Sequence, residues 1–118
     1  MMTIGTIAQL LDAKILCAAD MNAQVDSACG SDMMSDVLAY VKNQAVLLTG
    51  LVNTQVVRTA QMMDMVCIVF VRDKQPTEEM IALAKEQGIV LMSTSKRMYE
   101  ACGILYSSGL RPNGEGHA

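Results

Sequence analysis

With 118 residues, the chain is long enough for one domain around a single core and too short for two. Hydrophobic residues make up 52% of it, but with only three Tyr, one Phe and no Trp the core must be built from aliphatic side chains and from many of the 11 Met. The net charge of −3, without a dense basic cluster, argues against binding to DNA or RNA, and no apolar run is long enough to span a membrane.

The amino-terminal part of the chain predicts two helices and two short strands. Thr3 can cap the first helix, and the strands follow at Lys14–Cys17 and Val25–Cys29. Ser31 or Ser35 can cap the second helix. The apolar positions of the two helices are Ile4, Ile7, Leu10 and Leu11 in the first, and Met34, Val37, Leu38 and Val41 in the second.

From residue 45 onward the chain runs three times from an apolar strand through a polar turn into an amphipathic helix. The three predicted strands are Ala45–Thr49, Met65–Arg72 and Gly88–Ser93. Asn53 or Thr54 can begin the first of the following helices, Pro76 suits the first turn of the second, and Ser95 can cap the last. This repetition predicts an α/β fold, a three-layer α/β/α sandwich with a mostly parallel central sheet.

Two polar turns mark a candidate site, because ligands of parallel sheets bind at the carboxyl ends of the strands. Gly50 lets bare amides approach a ligand in the first turn, and three consecutive hydroxyls form the second. Free amides at a helix start favour an anion such as a phosphate. The predicted ligand-binding residues are Thr49, Gly50, Asn53, Thr54, Arg72, Ser93, Thr94 and Ser95. Helix capping alone would also account for both turns, since Ser, Thr and Asn are the preferred caps.

Other reactive groups give weaker indications. Cys29 precedes Gly30 and a predicted helix start, where a thiolate would be stabilised. Asp32 and Asp36 share a predicted helical face that could suit a metal, but solvated carboxylates are the favoured interpretation. The only histidine, His117, lies in the predicted tail, so no general base is at hand. We therefore predict no catalytic residue, no metal site and no cofactor.

The cysteine pattern and the amino terminus predict the cellular location, and the composition predicts the limits of the domain. The four cysteines are widely spaced without a C-x-x-C pair, which is typical of reduced, structural thiols. The amino terminus lacks the charged and apolar regions of a signal peptide, so we expect a cytoplasmic protein. Residues 1–107 are predicted to form the domain, and residues 108–118, rich in Gly and polar residues, a disordered tail.

Several segments together resemble a known family. They are Phe70–Met80, Ala84–Ile89 and Leu91–Thr94, with Leu47–Gly50 and the helix Val56–Ala60. Over about residues 3–105 the chain resembles the amino-terminal domain of HPr kinase/phosphorylase and looks like a stand-alone DRTGG-domain protein. The Asp-Arg pair of the naming motif is missing, because Leu51–Gln55 follows Thr49 and Gly50 here. Ligand contacts made by those charged residues elsewhere therefore do not transfer to this chain.

The resemblance implies a function as well as a fold like that amino-terminal domain. In HPr kinase/phosphorylase the activity belongs to a separate P-loop domain, and in one class of pyrophosphatases a similar domain contributes to the dimer interface. We therefore expect a non-catalytic regulatory or sensory domain that self-associates, as a dimer, and binds a nucleotide or another phosphorylated small molecule. The alternative is a structural protein that docks a protein partner through its Met-rich apolar helices, without a small-molecule ligand.

Overall fold

The computed structural model describes residues 2–40, without the side chain of Tyr40, and residues 44–112. Within these ranges the chain forms seven strands and five helices. In chain order they are β1 (Met2–Thr3), α1 (Ile4–Leu10), β2 (Lys14–Cys17), β3 (Gln24–Val25), β4 (Ser27–Gly30), α2 (Met34–Tyr40), β5 (Ala45–Thr49), α3 (Thr54–Met62), β6 (Cys67–Phe70), α4 (Glu78–Gln87), β7 (Val90–Ser93) and α5 (Met98–Ser107).

Five of the strands form one sheet with the order β2-β7-β6-β5-β4. The four strands from β4 to β7 are parallel, and only β2 runs antiparallel, along β7. The predicted mostly parallel sheet is therefore confirmed. β1 and β3 form a separate antiparallel pair. No helix among the described residues is both long and apolar enough to cross a membrane.

Side chains of the central strands alternate between two hydrophobic layers, as the pleat of a strand requires. In β5, Leu47 packs into the layer under α3 and α4, whereas Val46 and Leu48 pack into the layer under α1 and α5. Ile68 and Val69 divide in the same way in β6. Because all of these residues are fully buried, both faces of the sheet are covered, which confirms the three-layer α/β/α sandwich.

Capping residues determine where the helices α1, α3 and α4 begin or end. The side chain of Thr3 accepts a hydrogen bond from the backbone of Thr6, and that of Asn53 accepts one from Val56, as predicted. Thr77 caps α4, so Pro76 lies just before the cap and not in the first turn. Gly88 ends the same helix with a φ of 71°, in the left-handed region that suits glycine.

Two predicted elements in the first half differ from the structure. The strand predicted over Val25–Cys29 is two strands, because the chain changes sheets at Asp26: β3 pairs with β1, and β4 pairs with β5. Leu38 is not on the buried face of α2, since it is 43% exposed while its neighbour Val37 is fully buried. Val41, predicted for the same face, lies outside the described residues.

Three further predictions in the second half need correction. The ladder of β6 covers only Cys67–Phe70, and the chain has already turned at Arg72. Ser95 does not cap α5, because the helix begins at Met98 and no side chain caps it. Part of the segment predicted as a tail from residue 108 packs against the domain, since Leu110 is buried and the backbone of Arg111 bridges to Ser27 at the sheet edge. Residues 113–118 lie outside the described ranges.

A buried hydrogen bond joins the end of β7 to the end of α1. The hydroxyl of Thr94 donates to the backbone carbonyl of Leu11 over 2.7 Å, and both residues are almost completely buried. The bond connects positions 83 residues apart in sequence and fixes α1 to the sheet.

Gly88→Ala and Gly103→Ala should change stability in opposite directions, although an added methyl group has open space at both sites. Alanine at position 88 must adopt a positive φ, which costs about 1–2 kcal/mol, whereas alanine inside α5 gains about 0.5–1 kcal/mol over glycine. Urea unfolding of the two variants tests this. A Gly88→Ala variant as stable as the wild type would contradict the helix end described here.

Thr94→Val should lower the free energy of unfolding by about 1–3 kcal/mol, because the carbonyl of Leu11 would be buried without a donor. Thr54→Val is the matched control, since the half-buried Thr54 hydroxyl makes no hydrogen bond to the described residues. Chemical unfolding of both variants measures the difference. Equal stabilities would show that the Thr94 bond does not contribute.

Candidate functional site

The turns after the four parallel strands meet at one edge of the sheet. Two adjoining cavities, of about 440 and 510 Å³, open there. Both are lined by Arg72, which follows β6, and by Arg97, which immediately precedes α5. We refer to the two cavities together as the cleft. Its position is the one expected for a ligand site of a parallel sheet.

Asp32 connects the turn after β4 to the turn after β5. Its Oδ1 atom accepts a hydrogen bond from the hydroxyl of Thr49 over 2.9 Å and another from the backbone N–H of Gly50 over 2.7 Å. The Thr49 oxygen in turn accepts from the backbone of Leu51. The hydroxyl of Thr49, which is completely buried, therefore shapes the turn.

The guanidinium group of Arg72 lies against Gly50. A Cβ atom at position 50 would stand 2.6 Å from Nη2 of Arg72, so any other residue there would displace the end of the arginine side chain. Gly50 thus belongs to the cleft through a close approach of a side chain, in addition to its donated N–H.

The backbone of Arg72 and Asp73 is strained, with φ values of 57° and 56° in the left-handed region. Two hydrogen bonds hold it: the N–H of Arg72 donates to the carbonyl of Lys96, and the N–H of Asp73 donates to that of Thr94, both over 2.9 Å. Strain of this kind costs about 1–3 kcal/mol per residue and persists where the surroundings enforce it, often at functional sites. Here it directs Arg72 into the cleft.

The two arginines of the cleft are not ion-paired, although Asp32 and Asp73 also line its walls. Arg72 and Arg97 are both exposed, and within the described part of the chain neither has a carboxylate within 4.0 Å. Lys96 and Glu100 form the ion pair nearby, at 4.0 Å. An exposed guanidinium without a partner offers donors in a fork geometry that matches a phosphate or carboxylate.

The predicted site residues divide into two groups. Gly50, Arg72 and Ser95 reach the cleft, and Ser95 is an exposed residue of its larger cavity. The others support the surrounding turns or helices through their side chains or positions. They are Thr49, Asn53, Thr54, Ser93 and Thr94.

Ser93 illustrates the second group. Its hydroxyl donates to the carbonyl of Lys74 over 2.9 Å and accepts from Nε2 of Gln75 over 3.1 Å, and only 4% of the residue is exposed. The buried hydroxyls of Ser93 and Thr94 are thus already engaged within the fold, which favours the structural interpretation of these two residues.

Arg97, Asp32 and Tyr99 line the cleft and were not among the predicted ligand residues. Arg97 and Lys96 form the densest basic pair of the sequence. Its position shortly after a predicted strand could have indicated that Arg97 lies at the site. Tyr99 is 92% exposed, and no sequence pattern distinguishes such a residue from an ordinary helix position.

The remaining reactive groups in the described part of the chain do not come together in a site. Burial raises the pKa of the Cys29 thiol, as do the nearby Cys102 and Asp36, so a thiolate is disfavoured. Asp32 lies before α2 and Asp36 within it, so they do not share a helical face. Among the residues in the described ranges, no group of three His, Cys, Asp or Glu side chains could hold a metal ion.

Comparison with known proteins places the fold and the family. Comparison with curated proteins found no match. A crystal structure of the CBS and DRTGG domains of the regulatory region of Clostridium perfringens pyrophosphatase, complexed with its activator diadenosine tetraphosphate, is 13% identical with a TM-score of 0.72. The similarity covers 98% of this chain and 52% of that one, so this chain spans about half of its length. The DRTGG domain family matches residues 6–108, and the chain therefore belongs to that family.

Proposed function

We propose that this chain is a non-catalytic regulatory domain that binds a nucleotide or another phosphorylated small molecule in the cleft. The observation that carries the proposal is the pair Arg72 and Arg97 on the wall that both cavities share. Neither arginine is paired with a described carboxylate, so an anion would meet two guanidinium groups without displacing an internal partner.

The surroundings of the two arginines support this use. Two hydrogen bonds hold the backbone of the turn at Arg72 and Asp73, and this backbone places the arginine side chain against Gly50 before a ligand arrives. Arg97 is fixed at the start of α5, where backbone N–H groups of the first turn lack a side-chain cap and also favour negative charge. Preorganisation reduces the entropy lost on binding and thereby strengthens it.

The comparisons support the regulatory part of the proposal. The related pyrophosphatase region was crystallised with an activator that is an adenine nucleotide, and its domains are regulatory. We also propose that the fold is similar to that of the amino-terminal domain of HPr kinase/phosphorylase. The four free cysteines are consistent with the cytoplasmic location that we propose.

Pyrophosphate is the simplest probe of the two arginines. Arg72→Ala and Arg97→Ala should each weaken its binding by about tenfold or more, since a hydrogen bond to a charged group contributes about 1.5–3 kcal/mol. Arg58→Ala is the matched control, because Arg58 is exposed on α3 and does not line the cleft. Isothermal titration calorimetry at low ionic strength measures the three affinities.

Two results would contradict this use of the cleft. One is a wild-type protein that binds neither pyrophosphate nor any nucleotide at millimolar concentration. The other is an affinity that falls as much in the Arg58→Ala control as in the two cleft variants, which would indicate non-specific attraction by surface charge.

Self-association is the second part of the proposal, and we assign it to the outer face of α5. Tyr99, Gly103 and Tyr106 lie four and three residues apart and so share one side of the helix. The two tyrosines are 92% and 55% exposed, and the space outside Gly103 is open. Glu100 is the one charged residue in the ten residues of α5, and a helix that is apolar all round is normally buried.

The alternative of docking through Met-rich helices has less support. Among the methionines of the described ranges, only Met33 and Met62 are exposed, and they lie before α2 and at the end of α3. The others are buried or half-buried and pack against the two hydrophobic layers, where methionine fills space. The tyrosines of α5 supply a more continuous apolar surface.

Gly103→Glu should convert a dimer to a monomer, because it places a charge at the centre of the proposed interface. Gln61→Glu adds the same charge on the exposed side of α3 and should leave the mass unchanged. Sedimentation velocity of the wild type and both variants provides the test. The wild type is measured over a roughly 100-fold range of concentrations up to about 1 mM. A wild type that is monomeric throughout this range would exclude a dimer with a dissociation constant below about 1 mM.

A further inference from the structure

The cavity on the Asp32 side of the cleft combines three kinds of chemistry. Arg72 and Arg97 supply positive charge, Asp32 supplies a carboxylate, and Met98 and Tyr99 supply apolar and aromatic surface. The other cavity has only polar and charged lining residues, which include Asp73 and Ser95. A ligand on the Asp32 side would therefore meet all three kinds of chemistry, whereas a ligand in the other cavity would meet polar and charged groups.

The carboxylate of Asp32 restricts what can lie next to it. Its Oδ1 atom accepts the hydrogen bonds of Thr49 and Gly50, whereas Oδ2 accepts none from the described residues. A carboxylate accepts hydrogen bonds and repels a second anion. The part of the ligand beside Asp32 is therefore not an anion, and a group that donates hydrogen bonds, such as a sugar hydroxyl, fits there.

Tyr99 and Met98 provide the third contact. The ring of Tyr99 is 92% exposed at the rim of the cavity, and Met98 below it is half-buried against the core. A flat heteroaromatic ring can stack on an exposed tyrosine and contact the polarizable thioether. Stacking of this kind accepts any base, because every base has a π face.

We infer that the cleft is built for a ribonucleoside phosphate: the phosphates lie on Arg72 and Arg97, Asp32 accepts hydrogen bonds from the ribose hydroxyls, and Tyr99 stacks on the base. The inference rests on the proposed anion-binding function and extends it by naming the ligand class and two specificity-determining residues. Inorganic phosphates satisfy the first contact alone, and sugar phosphates satisfy the first two.

Four probes separate the three contacts in the wild-type protein: pyrophosphate, ribose 5-phosphate, a set of the four ribonucleoside 5′-monophosphates, and the 2′,3′-dideoxy form of the tightest of them. We expect at least one monophosphate to bind about tenfold or more tighter than ribose 5-phosphate, because stacking is strong enough for that difference. The dideoxy form should bind about tenfold weaker than its parent, since it lacks the donors for Asp32.

Two variants then assign the contacts. Tyr99→Ala should remove the advantage of the monophosphate over ribose 5-phosphate, and Tyr99→Phe should retain it because the ring remains. Asp32→Asn should reduce the difference between the ribo and dideoxy forms without weakening pyrophosphate binding, because a hydrogen bond to an amide is weaker than one to a carboxylate. Asparagine keeps an Oδ1 acceptor for Thr49 and Gly50, so the turn is preserved. Calorimetric titration measures all affinities, and thermal unfolding verifies that each variant is folded.

The outcomes distinguish this inference from the function on which it rests. If pyrophosphate binds through Arg72 and Arg97 while all four probes bind equally, the inference is wrong and the anion site stands. If Asp32→Asn weakens pyrophosphate as much as the monophosphate, Asp32 only shapes the turn, and its role as a specificity residue is overturned. If no probe binds the wild type, the proposed function itself fails.

Discussion

In a parallel sheet that is covered on both faces, polar side chains can reach water only at the ends of the strands. This constraint determines where the polar residues of the molecule lie. All five residues of β5 are buried, and the side chains of the first four alternate between two hydrophobic layers. A polar group inside the sheet would lose its hydration at a cost of about 1–3 kcal/mol unless it found a partner. Polar residues therefore collect where the strands end, and because the strands are parallel, four such ends lie at the same edge.

The same constraint divides the polar residues at that edge into two kinds. Short side chains next to the sheet, such as Thr49, Ser93 and Thr94, are buried and must be satisfied from within the protein. Long charged side chains one or more residues farther along, Arg72 and Arg97, reach solvent and remain without a carboxylate partner in the described ranges. The buried hydroxyls thus hold the turns behind the cleft, and the arginines line it.

This division explains what the sequence could and could not predict. The three strand–turn–helix units from residue 45 were evident, because a continuous apolar run followed by helical periodicity depends only on local pattern. The partners of Thr49 and Thr94 were not, since Asp32 and Leu11 lie 17 and 83 residues away and meet them only through the fold. A hydroxyl after a strand looks the same whether it faces a ligand or a buried carbonyl. The change of sheets at Asp26 was hidden for the same reason, because it depends on pairing with β1.

The cleft and the outer face of α5 are linked in two ways: Tyr99 belongs to both, and the turn at Arg72 is hydrogen-bonded to the loop that leads into α5. Tyr99 lines the cleft and also borders the exposed tyrosine surface of the same helix. The turn at Arg72 is hydrogen-bonded to the carbonyls of Thr94 and Lys96, in the loop that leads into α5. A ligand held by Arg72 and Arg97 would therefore act on the segment that positions the start of α5. If the two proposed functions hold, ligand binding and self-association compete or cooperate through Tyr99, and linkage requires each to change the affinity of the other by the same factor. This connection gives a small domain a route by which ligand binding can change self-association.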